Sequence, residues 1–197
     1  RSLHADLIDR LSAAQPAGIL FDVIFSEPGN PVNDKRLADS VCNAGNVLLP
    51  LGRDDSASYS PPRVQMRPLL KCAKGVGHIN VEADSDGVVR SLYLREGPPN
   101  ATAPQLAWLA FTMSGQPSEM PGEPVDSNSQ DWHREYAVRI PYIAPDSHFP
   151  SVSYVSVLRG EVSPERLRNR LILVGAPASG MGDHYVTPLS PMVGTTA

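Results

Sequence analysis

Cysteine, aromatic residues and charge are all scarce in this chain. Only Cys42 and Cys72 occur among 197 residues. They lack CxxC spacing, which argues against a thiolate metal site or a redox motif. A disulfide in an oxidising compartment and two separate half-buried thiols are both compatible with their positions. Aromatic residues make up 6% and charged residues 19% of the chain. Lys and Arg number 17 against 21 Asp and Glu, a formal net charge of −4. The cations form no cluster, and a mildly acidic chain without a basic patch does not suit nucleic acid. No run approaches the ~18 apolar residues of a membrane helix. No signal peptide leads the chain. The first residue is Arg1 and the first Met is Met66, so the chain reads as a fragment of a longer protein.

What is present is ordinary globular composition. Hydrophobic residues make up 41%, and the length suits a single domain over residues 1–197 with a real core. Twenty prolines predict long, stiff loops. Leu3, Leu7, Ile8 and Leu11 recur at helical spacing, and Pro16 and Gly18 end that helix. GILFDVIF (18–25) is an apolar run broken only by Asp22, as in a strand buried on both faces. Asp34 is placed to cap a helix from Lys35 to about Asn43. NVLLPL is the next buried strand. Residues 52–68 read as an exposed excursion, followed by a short helix over Pro68–Lys74. Two strand-like runs flank Asp86-Gly87, a hairpin signal. A helix over Pro104–Met113 closes at Gly115. YAVRIPYIA reads as a strand, VSYVSVLRG as a helix, and RLILVGAP as the last buried strand. Ser163 and Pro164 mark a further helix start.

This alternation predicts an α/β fold. Its central sheet is mixed but mostly parallel, with strands near 18–25, 46–50 and 170–175. Helices cover both faces. An antiparallel β-hairpin extends the sheet, and a 137–143 strand pairs within it.

Ligands in such sheets gather beyond the carboxyl ends of the strands. Asp22 sits within the first strand and Glu27 lies just after it. Asp183 and His184 lie there after the last, through GAPASGMGDHYVTP. If those strands are neighbours, the four residues line one crevice, a ligand or cation pocket. The competing reading has Asp22 bonding loop backbone and Asp183 capping a turn. His78 and Asn80 alternate on one strand face and are further ligand candidates. His4, His133 and His148 read as surface residues.

Asp84-Ser-Asp86-Gly87 opens like a calcium loop, but no bidentate Glu follows at the required distance. The alternative is a turn in which Asp86 satisfies backbone amides and Arg90 pairs with Asp84 or Asp86. Arg90 and Asp86 stay among the candidate ligand residues. The loop ASGMGD lacks the Lys-Ser/Thr of a P-loop and the GxGxxG of a dinucleotide fold, and Asp183 would repel phosphate. There is no GxSxG, no HExxH and no Cys-His pair. Ser179 with His184 as its base is no established nucleophile geometry. No catalytic residue, metal or cofactor is expected.

FDVIFSEP, then ND-x-x-LADSV, NVLLP and GHINVEADSDGVVRSLYL follow one another in order. PQLAWLA and RIPYIAPDSHFPSVSYVSVLRGEVSPERLRNRLILVGAPASGMGDHYVTP complete the series. Together they resemble the second of the CHASE families, the cyclase- and histidine-kinase-associated extracellular sensory domains, over nearly the whole chain. The resemblance implies a domain outside the cytoplasmic membrane of a bacterium, tethered by membrane helices. It implies a cytoplasmic output module in the parent: a histidine kinase, a diguanylate cyclase or phosphodiesterase, an adenylate cyclase or a serine/threonine kinase. The family contributes no agreed binding residues.

Two functional expectations follow. In the first, a small molecule or ion binds at the carboxyl edge and shifts a two-state equilibrium across a homodimer. In the second, the domain is a ligand-free dimerisation or protein-interaction module, its amphipathic first helix pairing with a copy of itself. A hydrolase is disfavoured by the missing motifs.

Overall fold

The computed structural model describes residues 1–53, 65–116, 119–120, 132–143, 149–175 and 185–189. In chain order the elements are α1 (Ser2–Ala13), β1 (Gly18–Phe21), α2 (Pro31–Ala44) and β2 (Val47–Leu51). Next come α3 (Arg67–Cys72), β3 (Gly75–His78), β4 (Ser91–Gly97), β5 (Ala103–Pro104) and α4 (Leu106–Met113). β6 (His133–Arg139), α5 (Tyr154–Leu158), a 3-10 turn at Pro164–Arg166 and β7 (Leu171–Val174) complete the series. The chain divides into two compact units. One holds Arg1–Ile79, Ala103–Ser118 and Ser151–Gly175; the other holds Asn80–Thr102, Glu119–Pro150 and Ala176–Ala197.

The first unit is built on a four-stranded sheet in the order β3-β2-β1-β7. Every pairing is parallel, with Ile19 opposite both Val47 and Ile172, and Leu51 opposite His78. Side chains alternate across a sheet, and this sheet is apolar on both sides. Ile19, Phe21, Val47 and Leu49 join one core with Leu7, Ile8 and Leu11 of α1, Leu37 and Val41 of α2, Leu69 of α3 and Val157 of α5. Leu20 and Leu48 point the other way, onto Leu106 and Ala110 of α4. Helices therefore cover both faces, as the continuous apolar runs imply. Each fully buried Leu or Ile stabilises this arrangement by about 1.5–3 kcal/mol.

Local sequence explains the boundaries. α2 starts at Pro31, and the Asn30 side chain accepts from the Val32 and Asn33 amides. Asn-Pro is a cap followed by a first-turn proline, so Asn30 takes the capping role assigned to Asp34. Asp34 instead lies in the first helical turn, where its carboxylate meets Arg1 and accepts from Gly29 N (2.7 Å). α2 ends at Gly45, whose φ of 67° is the left-handed conformation of a helix stop. β1 is shorter than the apolar run, ending at Phe21. Asp22 N still bonds Val174 O (2.8 Å), but Val23 N turns back to Phe21 O (2.8 Å) and breaks the ladder.

The residues expected to form one arm of a sheet-extending hairpin form a fourth parallel strand, β3. Gly75 and Gly77 fit there because the chain beside α4 comes close: a Cβ on Gly77 would stand 2.7 Å from Leu106 Cα.

The second unit carries an antiparallel pairing of β4 with β6, from Ser91 opposite Arg139 to Gly97 opposite His133. It is a separate sheet, not an extension of the first. The strand expected at 137–143 lies at His133–Arg139. Pro141 has no amide to donate, so regular pairing stops short of it. The Asp-Gly turn survives as a tight loop, with Asp84 N bonding Val88 O (2.9 Å), Gly87 N bonding Asp84 O (2.8 Å), and a single bridge between Glu82 and Ser91. Gly87 adopts φ 82°, which a side chain would resist.

Cys42 of α2 and Cys72 of α3 are joined by a disulfide. His4 is half-buried, not a surface residue. Its ring meets Phe21 and Phe25 edge-on at 5.3 Å, and Nδ1 lies 2.9 Å from the Tyr154 hydroxyl. That hydroxyl donates to Leu3 O (3.0 Å), so its oxygen is left to accept from His4. Burial lowers the His4 pKa. His133 is half-buried on β6, and His148 lies outside the described residues.

Candidate functional site

β1 and β7 are neighbours, as the crevice reading requires. Asp22 stands at the carboxyl end of β1, beside Gly175 at the end of β7. A Cβ added to Gly175 would be 4.0 Å from Asp22 Cβ. Open sheets of this kind bind ligands beyond the carboxyl ends of their strands. Glu27 is further along the exposed loop, and its carbonyl accepts from Arg1. Asp183 and His184 lie outside the described residues, so of the four expected crevice residues only Asp22 and Glu27 are described.

A second concavity opens on the same edge. The loop after β1 (Pro28 to Pro31) and the segment after β2 (Met66 to Pro68) meet the flanks of α2 and α3. They enclose a groove of about 710 Å³. Its walls are apolar at Pro28, Pro31, Ala38 and Met66, and Cys72 ties α3 to α2 across it through the disulfide. Charge is distributed unevenly. Asp34 is engaged by Arg1, which holds its carboxyl below the usual range. Asp39 is paired with Lys35 at 2.6 Å, one helical turn apart. Arg67 and Lys71, also one turn apart and both exposed, have no ion pair among the described residues.

Behind this edge the buried Gln65 holds two loops to the sheet. Its Oε1 accepts from Phe25 N (2.8 Å), and its Nε2 donates to Val23 O (2.9 Å) and Pro50 O (3.0 Å). Met66 N adds a bond to Phe25 O (2.8 Å). Gln65 follows a polar, Pro-rich stretch and gave no sequence signal.

His78 is fully buried at the end of β3, opposite Leu51, and bridges Gln105. β3 ends there, so the expected alternation with Asn80 does not continue. Asn80 belongs to the second unit, where its side chain lies beside the carboxylate of Glu96. Glu96 is buried on β4. The Trp132 indole is also beside it, and Arg134 Nε lies 3.7 Å away. Arg134 in turn pairs with Glu82 and lies over the Tyr93 ring at 5.8 Å. Burial raises the Glu96 pKa. The polar groups of Asn80 and Trp132 and the charge of Arg134 oppose that shift, while Glu82 adds to it. Sequence reasoning passed over Glu96. Period two on β4 puts it on the same face as the buried Leu94, and that register is the signal that could have singled it out.

Arg90 grips the turn before it: Nη1 donates to Asp84 (2.7 Å) and Asp86 (2.9 Å), and Nη2 donates to Asp86 (2.8 Å). Asp86 also accepts from Val88 N (3.1 Å). The Arg90 bonds, then the Val88 amide, lower the Asp86 pKa to about 2. Three of the loop's polar side chains are thus engaged with one another. Among the described residues no group of three or more His, Cys, Asp or Glu is placed to hold a metal ion. Among them too, no helix is long and apolar enough to cross a membrane.

The family model of the CHASE2 domain matches residues 1–197, the whole chain. The chain belongs to the CHASE2 domain family. No curated protein and no solved structure matches it. CHASE2 domains are extracellular sensor domains, sensory and not themselves catalytic. In this CHASE2 domain the sheet edge at β1 and β2 carries a ligand-sized concavity, and the second unit carries a buried carboxylate network.

Proposed function

We propose that this CHASE2 domain is the ligand-sensing, periplasmic part of a membrane-tethered bacterial receptor. Its output is a cytoplasmic histidine kinase, nucleotide cyclase or cyclic-di-GMP enzyme, working as a homodimer. The observation that carries the reading is the groove between α2 and α3. Its 710 Å³ falls within the roughly 300–1,000 Å³ of small-molecule sites. The Cys42–Cys72 disulfide suits an oxidising compartment. A ligand there touches the loops leaving β1 and β2 and acts by favouring one of two conformations, to the extent that it binds them differently.

The ligand-free dimerisation module is less well supported by α1. Ala5, Leu7, Ile8 and Leu11 are all buried within the chain's own core, so that apolar face is not available to a copy.

The test is receptor output in cells, measured across a library of metabolites and ions for the full-length protein. Arg67→Ala with Lys71→Ala removes the two groove cations that have no ion pair among the described residues; Asp22→Ala with Asp183→Ala addresses the crevice. A response lost only in the groove pair supports the reading. A response lost only in the second pair moves the site to the β1–β7 edge. No response to any compound favours the ligand-free module.

A further inference from the structure

The groove's charge pattern specifies its ligand class, and the step rests on the receptor reading above. We propose that the α2–α3 groove binds a small organic anion, its acidic group held by Arg67 and Lys71 and its apolar body lying on Pro28, Pro31 and Met66. The chain as a whole is acidic, with a formal net charge of −4, yet this concavity has cations in excess. Both lining carboxylates already have partners, Asp34 in Arg1 and Asp39 in Lys35. Arg67 and Lys71 are the lining charges that no carboxylate among the described residues answers.

Their spacing of four residues puts both on one face of α3, about 6 Å apart along the axis. A carboxylate or a phosphate ester can accept from a planar guanidinium and an ammonium together, the Arg contributing direction and the Lys point charge. The apolar walls exclude a preference for a bare inorganic ion, because contact with Pro28, Pro31 and Met66 is gained only by a ligand with a hydrocarbon body. The disulfide fixes one wall to the other, so little ordering remains for the ligand to drive.

Isothermal titration of the 197-residue chain, disulfide intact and at constant ionic strength, tests this. The probes are succinate, citrate, hexanoate and glycerol phosphate, with choline and glucose as controls. The expected result is saturable binding of at least one anion. It weakens about tenfold or more in Arg67→Gln with Lys71→Gln and is unchanged in Asp22→Ala. Folding of the exposed-site variants is checked by circular dichroism. Weaker binding after Cys42→Ser with Cys72→Ser, in chain that remains folded, adds support. Silence with every anion up to about 10 mM, or binding indifferent to the Arg67 and Lys71 changes, overturns the proposal. Binding of choline or glucose alone overturns the anion class and leaves the receptor reading to the output assay.

Discussion

Arg134 Nε stands 3.7 Å from the carboxylate of Glu96, a side chain only 4% exposed. Burial raises the Glu96 pKa despite that cation and the nearby polar groups of Asn80 and Trp132. A carboxyl group with a raised folded pKa stabilises the fold below its unfolded pKa of about 4.3, and that contribution is lost as pH rises through the folded value. The second unit is therefore predicted to lose stability across that window, and Glu96→Gln to remove the loss. Melts followed by Trp132 fluorescence in a Trp108→Phe background, over a pH series, check it. Parallel pH profiles for the parent chain and the Glu96→Gln variant would sink the idea. Asp86 acts in a separate window, with the opposite sign, because its lowered pKa of about 2 makes its contribution vanish only in strong acid.

The disulfide closes a loop across 30 residues of sequence. On the chain-entropy estimate that constraint stabilises the fold by about 3–4 kcal/mol. Cys42→Ser with Cys72→Ser is predicted to lower the urea midpoint accordingly, and a thiol reductant to mimic it in the parent chain. Coincident denaturation curves with and without reductant, with thiols shown free, would contradict the structural role.

Gln65 makes three hydrogen bonds from a nearly sealed position. Gln65→Leu leaves the Phe25 amide and the Val23 and Pro50 carbonyls without that partner. The cost is predicted at about 2–3 kcal/mol, read as a fall in the denaturation midpoint with faster amide exchange at Phe25. An unchanged exchange rate at Phe25 would show that the loop is held by other means.

Gly77 faces Leu106 Cα at 2.7 Å and Pro104 O at 2.9 Å from where a Cβ would sit. Both are backbone atoms and cannot swing away. Gly77→Ala is predicted to cost about 2–4 kcal/mol, while Gly45→Ala, with open space around it but a φ of 67°, costs about 1 kcal/mol. The ranking is checked by thermal melts of the two variants, and its reversal would refute the close packing of β3 on α4.

The α/β class was legible because the runs at Ile19 to Phe21 and Val47 to Leu49 are apolar on both faces, which only a sheet covered on both sides tolerates. The apolar run at Leu171 to Val174 marked β7 as a strand, but its place beside β1 was only a condition of the crevice reading until the ladder from Gly18 to Phe21 met it. β3 was legible as a strand but not in its place, because GVGH carries almost no apolar pattern to mark it as part of the buried sheet: its glycines are there for close packing, and its hydrogen bonds come from β2. The pairing of β4 with β6 joins residues about 40 apart, and no local signal encodes a partner at that distance. Asp22 and the turn around Asp86 were visible as isolated polar residues among apolar or turn-forming ones. Arg67 and Lys71 were not, since their meaning depends on α3 lying against α2 and on Asp34 being engaged by the distant Arg1, relations of tertiary structure.

The central claim, that this domain reads a ligand through the α2–α3 groove, is tested most directly by a thermal-shift screen of the chain. The library covers metabolites, ions and pH. Ligand that binds the native state raises the midpoint by mass action. The account predicts a saturable rise with at least one compound that Arg67→Gln with Lys71→Gln abolishes. A library without effect, or a rise that survives those substitutions and disappears in Asp22→Ala, would contradict it.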